Sequence, residues 1–230
     1  MKKILFSLLI SAILFSLIYS TSCRREDSVN INQDRIYTLY EMEYSANEDQ
    51  TTGRATFRMG GQYDSKLKLS EGSSIKFNGE EMSFRSIYAY YEDDTEGYTE
   101  NGTFRFEDLD GNVYNNSASL IPVEFPETLP DIEKGASYEI EWIGLPLDEG
   151  ESIKLSVDGP MDSDTKTFTV TATDAQSITL SSTETQTLSA GATILKMERL
   201  YETENIEKPP VGGKLKTAYT AANHAINVVE

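Results

Sequence analysis

Apolar residues alternate with polar ones along most of this chain, and this two-residue period restricts it to β-structure. Successive side chains of a strand point to opposite faces, so one face of each segment is expected to be buried. No stretch carries a helical stripe longer than about two turns. The apolar positions of the clearest segments are Tyr40, Met42 and Tyr44; Ala55, Phe57 and Met59; Phe104 and Phe106; Tyr138, Ile140 and Trp142; and Ile153, Leu155 and Val157.

Turn signals and prolines divide the alternating pattern. Asn78-Gly79 and Asp110-Gly111 predict hairpin turns, because these residue types tolerate a positive φ. Pro122, Pro126 and Pro130 cannot donate a hydrogen bond to a neighbouring strand, so they indicate a connection between two parts.

Short strands separated by turns predict an all-β fold with two tandem β-sandwiches, at residues 35–122 and 123–230. The alternative is a single larger sandwich or barrel. Within the first part, residues 82–90 are predicted as one returning strand and residues 92–96 as an acidic loop. The tail beyond Glu207 is expected to close the second sandwich as a strand, with a disordered end as the alternative.

The first 22 residues have the layout of an export signal. Lys2 and Lys3 give a positive start, an apolar run follows, and small residues precede Cys23. The run of about 16 residues is shorter than the roughly 20 of a spanning helix, which disfavours a permanent membrane span. Polar residues 23–34 are predicted to form a flexible tether. Cys23 is the only cysteine, so it has no partner for an intramolecular disulfide.

Ser20-Thr21-Ser22-Cys23 resembles the lipobox of bacterial lipoproteins, in the looser form found in Bacteroidota. The resemblance implies a diacylglycerol on the Cys23 sulfur and a further acyl chain, such as palmitate, on its amine. Two or more such chains anchor a protein stably. An ordinary secreted protein is the alternative. The segment 104–120 is similar to the last hairpin of immunoglobulin-like domains in Bacteroidota lipoproteins, which implies immunoglobulin-like sandwiches.

The implied location is the cell envelope, with the outer membrane favoured over the inner one and the exposed face left open. Charge excludes nucleic acid as a partner. Loss of Lys2 and Lys3 with the signal leaves 18 basic against 38 acidic residues, a formal charge of −20. Such a surface repels phosphate, which proteins bind through clustered Lys and Arg. The expected partners are the membrane, through the lipid on Cys23, and a protein or glycan at the envelope.

The residue inventory argues against an enzyme. A zinc site draws on several Cys or His ligands and a Ser-His-Asp triad needs a histidine, but the chain has only His224 and Cys23. Carboxylate pairs like those of glycosidases arise by chance among 38 acidic residues, and a small sandwich seldom offers a deep cleft. We therefore predict a non-enzymatic protein that requires no cofactor.

Calcium is the one inorganic ligand that the acidic residues suggest, because this ion binds several converging oxygens. Glu92, Asp93 and Asp94 crowd one segment, and Asp108 and Asp110 crowd another. The second group lacks the spacing of an EF-hand. Solvated acidic turns are the alternative interpretation of both groups.

Tyr88, Tyr90 and Tyr91 are the candidate ligand-binding residues. They are nearly consecutive, so at least one ring must face away from the core. Exposed tyrosines can stack on sugar rings or anchor a protein partner. The alternative is that strands simply favour tyrosine. Trp142, the only tryptophan, is expected in the core because it continues the alternation of its strand.

Three functions follow from these features. The first is a lipid-anchored envelope protein without catalysis, acting as an extracellular binding or adhesion module or as a spacer. The second, drawn from the tyrosines, is a carbohydrate-binding accessory lipoprotein of a glycan-uptake system. The third is a pilin-like subunit, released from its anchor by cleavage after Arg35, as a resemblance to lipoprotein-type pilins of Bacteroidota implies.

Overall fold

The computed structural model describes residues 26–230, which are built mainly of β-strands. The predicted export signal and Cys23 lie outside these residues. The strands of the first half are β1 (Glu26–Asp27), β2 (Ile36–Ser45), β3 (Gln50–Met59), β4 (Lys66–Lys68), β5 (Ser74–Phe77), β6 (Glu80–Glu81), β7 (Ser83–Arg85), β8 (Tyr90–Glu96), β9 (Asn101–Glu107) and β10 (Val113–Ser119).

The second half contains ten strands and a short helix within the described residues. The strands are β11 (Val123–Glu124), β12 (Ile132–Glu133), β13 (Tyr138–Glu141), β14 (Ile143–Gly144), β15 (Glu151–Asp158), β16 (Lys166–Val170), β17 (Ser177–Leu180), β18 (Gly191–Thr203), β19 (Gly213–Thr220) and β20 (His224–Val229). Helix α1 is Ser182–Gln186, and 3-10 turns occupy Ser28–Asn30, Gln33–Arg35 and Asp162–Asp164.

Two sheets face each other in the first half. Strands β2, β3, β4 and β8 form one layer, and the sheet β10-β9-β5-β6 forms the other. Rings meet between the layers: the centroids of Phe57 and Phe106 are 4.6 Å apart, and those of Tyr40 and Phe104 are 5.1 Å apart. The predicted apolar face of each strand is therefore the face that is buried.

Glycines let these two layers approach closely at Phe77. A Cβ on Gly53 would lie 2.6 Å from the Phe77 ring, and one on Gly102 would lie 2.7 Å from the same ring. Real Cβ atoms do not come this near, so both positions require glycine while the ring is present. Phe77 itself is fully buried.

A second sandwich follows in the chain. Strands β15, β16, β18 and β20 form one layer, and the two-stranded sheets β11-β14 and β13-β17 cover it. Buried residues of both layers, such as Leu155 and Ile140, belong to one hydrophobic cluster. Trp142 is 2% exposed and lies in this core, as its alternation predicted. The predicted all-β class with two sandwiches in tandem is confirmed.

One sheet runs through both sandwiches. Strand β2 pairs in parallel with β19, from Thr38 opposite Gly213 to Ser45 opposite Thr220. Strand β19 in turn pairs with the C-terminal part of β18, which also pairs with β15 and β20. The result is a 12-stranded sheet common to the two halves. The domain boundary at residue 122 stays a prediction, because this sheet joins strands from both sides of it.

Residues 26–35 pack on the first sandwich, which differs from the flexible tether predicted for residues 23–34. Strand β1 pairs in parallel with β4, and both Ser28 and Gln33 are buried. The Ser28 hydroxyl accepts a hydrogen bond from the Ser70 amide at 2.9 Å, and the Gln33 side chain donates to the Ser28 carbonyl at 2.9 Å. Polar side chains become ordered here because the fold satisfies their hydrogen bonds, which composition alone does not reveal.

The segment from residue 82 to residue 90 is not the single returning strand that alternation predicted. Strand β7 ends at Arg85, residues 86–89 form a turn, and β8 begins at Tyr90, opposite Arg85. The Ala89 amide donates to the Arg85 carbonyl at 2.9 Å, and Ala89 has a φ of 54°. The acidic residues 92–96, predicted as a loop, continue β8.

Candidate ligand-binding surface

The candidate surface lies on the solvent side of the shared sheet, where two short strands meet along one edge of β3. The first half of β3 pairs with β8 and the second half pairs with β4. Tyr90 begins β8 and Lys66 begins β4, so the two side chains meet at this junction. The turn that carries Tyr88 lies beside them.

Two of the three predicted tyrosines come together at the junction. The rings of Tyr88 and Tyr90 are stacked, with their centroids 5.7 Å apart and their planes at 9°. Tyr88 is 62% exposed, and Tyr90 is half-buried. Ile87, which precedes Tyr88 in the turn, is 86% exposed. This parallel stack presents a flat apolar face to solvent.

Tyr91 occupies the opposite face of the sheet and does not join the pair. It is buried against Phe57 and Phe84, and its hydroxyl accepts a hydrogen bond from the Leu69 amide at 2.8 Å. Burial raises the pKa of the Tyr91 hydroxyl to about 12, although the Leu69 hydrogen bond acts in the other direction. Tyr91 is therefore a core residue.

Cations hold the ring of Tyr90 from two strands. The Arg54 Cζ lies 4.8 Å from the Tyr90 ring centroid, and the Lys66 Nζ lies 5.6 Å from it. Both distances fall within the range of cation–π attraction. Lys66 also donates a hydrogen bond to the Tyr88 carbonyl oxygen at 2.7 Å, which ties the turn to β4.

Arg54 is neutralised by carboxylates on its neighbouring strands. Its Nη2 lies 2.9 Å from Glu92 and its Nη1 lies 3.6 Å from Glu43, while Arg85 approaches the other oxygen of Glu92 at 3.1 Å. Burial alone would raise the pKa of Glu92, but the hydrogen bonds from Arg54 and Arg85 outweigh it and lower that pKa. In this network each arginine is paired with a carboxylate, so Arg54 has no unbalanced charge to offer a ligand.

Unlike Arg54, the cations Arg58 and Lys66 are not neutralised by an ion pair with a carboxylate among residues 26–230. They are direct cross-strand partners on β3 and β4, and like charges in this arrangement repel. In the described part of the chain neither forms an ion pair. Burial first, and then the nearby Arg58, lower the pKa of Lys66. Arg58 donates from Nη1 to the Asp64 carbonyl at 2.9 Å, and its buried Nε has no partner among the described residues.

We call Arg54, Arg58, Lys66, Tyr88 and Tyr90 the aromatic–cationic patch. The tyrosines were found from the sequence, whereas the cations were not named as site residues. Alternation does place Arg54 and Arg58 on one face of β3. Their approach to Lys66 depends on strand pairing, which no local pattern specifies.

The carboxylates named as calcium candidates do not converge. Glu92, Asp93 and Asp94 are successive residues of β8, so Asp93 points away from the other two. Glu92 is engaged by Arg54 and Arg85, and Asp94 accepts from the Thr52 hydroxyl at 2.7 Å. No cluster of three or more Asp, Glu, His or Cys suited to a metal occurs among residues 26–230.

The Asp108 carboxylate accepts hydrogen bonds from residues of the loop that follows it. One carboxylate oxygen accepts from the amides of Asp110 and Asn112, both at 2.9 Å, and the other accepts from the Asn112 side chain at 2.9 Å. Asp108 is 1% exposed, whereas Asp110 points to solvent. These bonds are those of an Asx-type hairpin loop.

A buried ion pair in the second sandwich was missed by the sequence analysis. Arg199 on β18 contacts Glu151 on β15, and both side chains are nearly inaccessible. Arg199 also donates to the carbonyls of Leu145, at 2.7 Å, and Pro146, at 2.8 Å. The available signal was positional, because Arg199 continues the inward alternation of Leu195 and Met197.

The membrane attachment expected at Cys23 falls outside residues 26–230. Within those residues the structure contains no helix of the length and apolar character needed to cross a bilayer.

Comparison with known proteins gives only distant structural similarity. No protein-family model matches the chain, and no curated protein does. Among solved structures, chicken CNTN1 FN1–FN3 domains are 9% identical over 83% of this chain and 66% of that one, with a TM-score of 0.31. A tetra-tandem repeat in the extending region of a large adhesion protein is 10% identical over 83% and 49%, with a TM-score of 0.26.

A third structure, from a 1.5-MDa bacterial ice-binding adhesin, is 10% identical over 86% of this chain and 66% of that one, with a TM-score of 0.22. The chain thus spans about half to two thirds of the length of the structures that it matches.

Proposed function

We propose that this chain is a lipid-anchored cell-envelope protein that binds a partner through the aromatic–cationic patch and carries out no catalysis. The anchor is the lipid that the lipobox-like residues 20–23 imply for Cys23. The tandem sandwiches would hold the patch away from the membrane. An outer-membrane position is favoured over an inner one.

The observation that carries the binding role is the exposed ring of Tyr88. It is 62% exposed and stacked on Tyr90, and Tyr88 is hydrogen-bonded to Lys66, a cation without an ion pair among the described residues. Aromatic rings and arginines that remain accessible on a rigid sheet are the residue types that dominate binding energies. A spacer role alone would not account for these side chains.

A spacer role is the second candidate, and the shared sheet favours it. Eight successive residue pairs join β2 to β19, and β19 continues to β18. Bending between the sandwiches would break this ladder. A rigid spacer and a binding module are compatible, because the patch lies on that same sheet. Pilin-like assembly after cleavage at Arg35 stays a prediction.

Lipid labelling tests the anchor. The full chain and its Cys23→Ser variant are expressed in a bacterial host that processes lipoproteins and are fed an alkyne analogue of palmitate. We expect label and membrane fractionation for the wild-type chain and neither for Cys23→Ser. Equal labelling of both, or a membrane-bound Cys23→Ser chain, would remove the anchor from the proposal.

Protease treatment of intact cells tests the position of the patch. Digestion on intact cells would place the patch outside and support binding of an external partner. Protection until the outer membrane is permeabilised would overturn the adhesion role and leave a partner within the envelope.

A further inference from the structure

We propose that the aromatic–cationic patch recognises a saccharide that carries a single carboxylate on or next to its ring. This inference rests on the proposed binding function and names its ligand class. It is drawn from the stacked tyrosines and from the like charges of Arg58 and Lys66, which face each other across two strands.

The cross-strand pair of Arg58 and Lys66 is the reason for expecting a negatively charged ligand. Arg58 and Lys66 face each other across β3 and β4, and neither forms an ion pair in the described chain. Glu41 is the carboxylate whose charge acts on Lys66, but it lies on β2 as the cross-strand partner of Arg54 and so does not stand between the two cations. An anion seated between them would relieve their repulsion and gain two charge-assisted hydrogen bonds. The Nε of Arg58 is buried and its Nη1 donates to the Asp64 carbonyl, so a ligand would be met by the remaining N–H groups of the guanidinium.

The requirement for a ring follows from Tyr88. Its exposed face, supported from behind by the parallel ring of Tyr90, matches the C–H face of a pyranose. Lys66 donates to the backbone carbonyl oxygen of Tyr88 and lies 5.6 Å from the centroid of the Tyr90 ring, so the cation is next to the stacked pair. In a uronic or sialic acid, one rigid residue carries both the stacking face and the carboxylate. An acidic peptide side chain carries its charge on a flexible stem and has no such face.

The charge density of the ligand is limited by the rest of the chain. The formal charge of −20 that remains after loss of the signal repels polyanions, but a lone carboxylate responds mainly to charges within about 10 Å, the screening length at ordinary salt. An oligosaccharide with isolated carboxylates therefore fits the patch better than a densely charged polymer or a nucleic acid.

Calorimetric titration of the full chain in detergent tests the inference with matched probes. A glucuronate-substituted xylo-oligosaccharide is compared with its carboxyl-reduced form, and sialyllactose is compared with lactose. Preference for the carboxylated member of either pair supports the inference, and the pair that binds identifies the source of the carboxylate. Equal binding of charged and neutral forms, or no binding of any probe, overturns it. Poly-glutamate binding as tight as that of the sugars also overturns it.

Variants separate the ring from the charge. We expect Tyr88→Ala and Lys66→Gln each to weaken binding about tenfold, the value of one stacked or charge-assisted contact. Tyr88→Phe keeps the ring and should bind nearly as well as the wild-type chain. Lys166→Gln, at an exposed lysine on β16, is the charge-matched control and should change nothing.

Lys66→Gln offers a readout that a purely structural role would not produce. It should abolish the preference for the carboxylated sugar while leaving the binding of the neutral sugar nearly unchanged, because the stacking face of Tyr88 does not depend on the charge of Lys66. An intact preference would contradict the inference. These outcomes are independent of where the chain is anchored, so lipid labelling can fail while the ligand class holds, and the reverse.

Discussion

The two sandwiches use different chemistry to fill their interiors. The first has a core of aromatic rings, and two of its glycines, Gly53 and Gly102, admit the Phe77 ring. The second has a mainly aliphatic core with one tryptophan and a buried ion pair, Glu151–Arg199. Rings fix the spacing of two sheets by shape, whereas the ion pair fixes a loop by hydrogen bonds. Substitutions in the two sandwiches should therefore lower the free energy of unfolding for different reasons.

The largest expected effect is the loss of the buried cation in the second sandwich. Arg199→Met leaves the carboxylate of Glu151 uncompensated in the interior, and we expect the free energy of unfolding to fall by about 3–5 kcal/mol. Urea denaturation of the full chain measures it. The double variant Glu151→Met with Arg199→Met should cost less than Arg199→Met alone. Additive losses would show that the pair contributes nothing as a pair.

A smaller effect is expected from adding one methyl group to the core of the first sandwich. In Gly53→Ala the new Cβ would lie 2.6 Å from the Phe77 ring, so we expect a loss of about 1–3 kcal/mol from overpacking. Gly61→Ala is the control, because its Cβ would make only an ordinary contact, at 3.4 Å from Asp64. Equal stability of the two variants would mean that ring packing does not set the sheet spacing.

The smallest effect concerns the half-buried carboxylate Glu92 of the first sandwich. The pKa of Glu92 is lowered in the folded chain, so its stabilisation is complete above its unfolded pKa and disappears as the pH falls through the folded value. We expect a loss of about 1 kcal/mol at most, below about pH 4.5. Glu92→Gln should remove this part of the pH dependence in acid unfolding curves. An unchanged curve would assign the dependence to other carboxylates.

Local patterns in the sequence were sufficient to predict which face of a strand is buried and where a hairpin turn lies. Alternation identified Tyr40, Met42 and Trp142 as core residues, and Asn78-Gly79 forms the predicted hairpin, with φ values of 51° and 91°. Alternation failed at Tyr88, since a four-residue turn can continue a two-residue pattern without being a strand. It also could not decide which of Tyr90 and Tyr91 faces solvent.

These local patterns could not predict which strands pair with each other. The junction of β4 with β8 brings Lys66 to the tyrosines, and the pairing of β2 with β19 joins the two halves. Both depend on contacts between residues that are distant in the chain. The two tyrosines of the five-residue patch were therefore predictable from the sequence, but its three cations were not.

The pairing of β2 with β19 has a consequence for the order of folding. Thr38 is among the first described residues and Gly213 among the last, yet they are neighbours in the sheet. The edge of β2 that pairs with β19 stays open until residues 213–220 have been synthesised, and contacts this distant in sequence slow folding. The first sandwich, although it comes first in the chain, is thus completed only when the second supplies its strand.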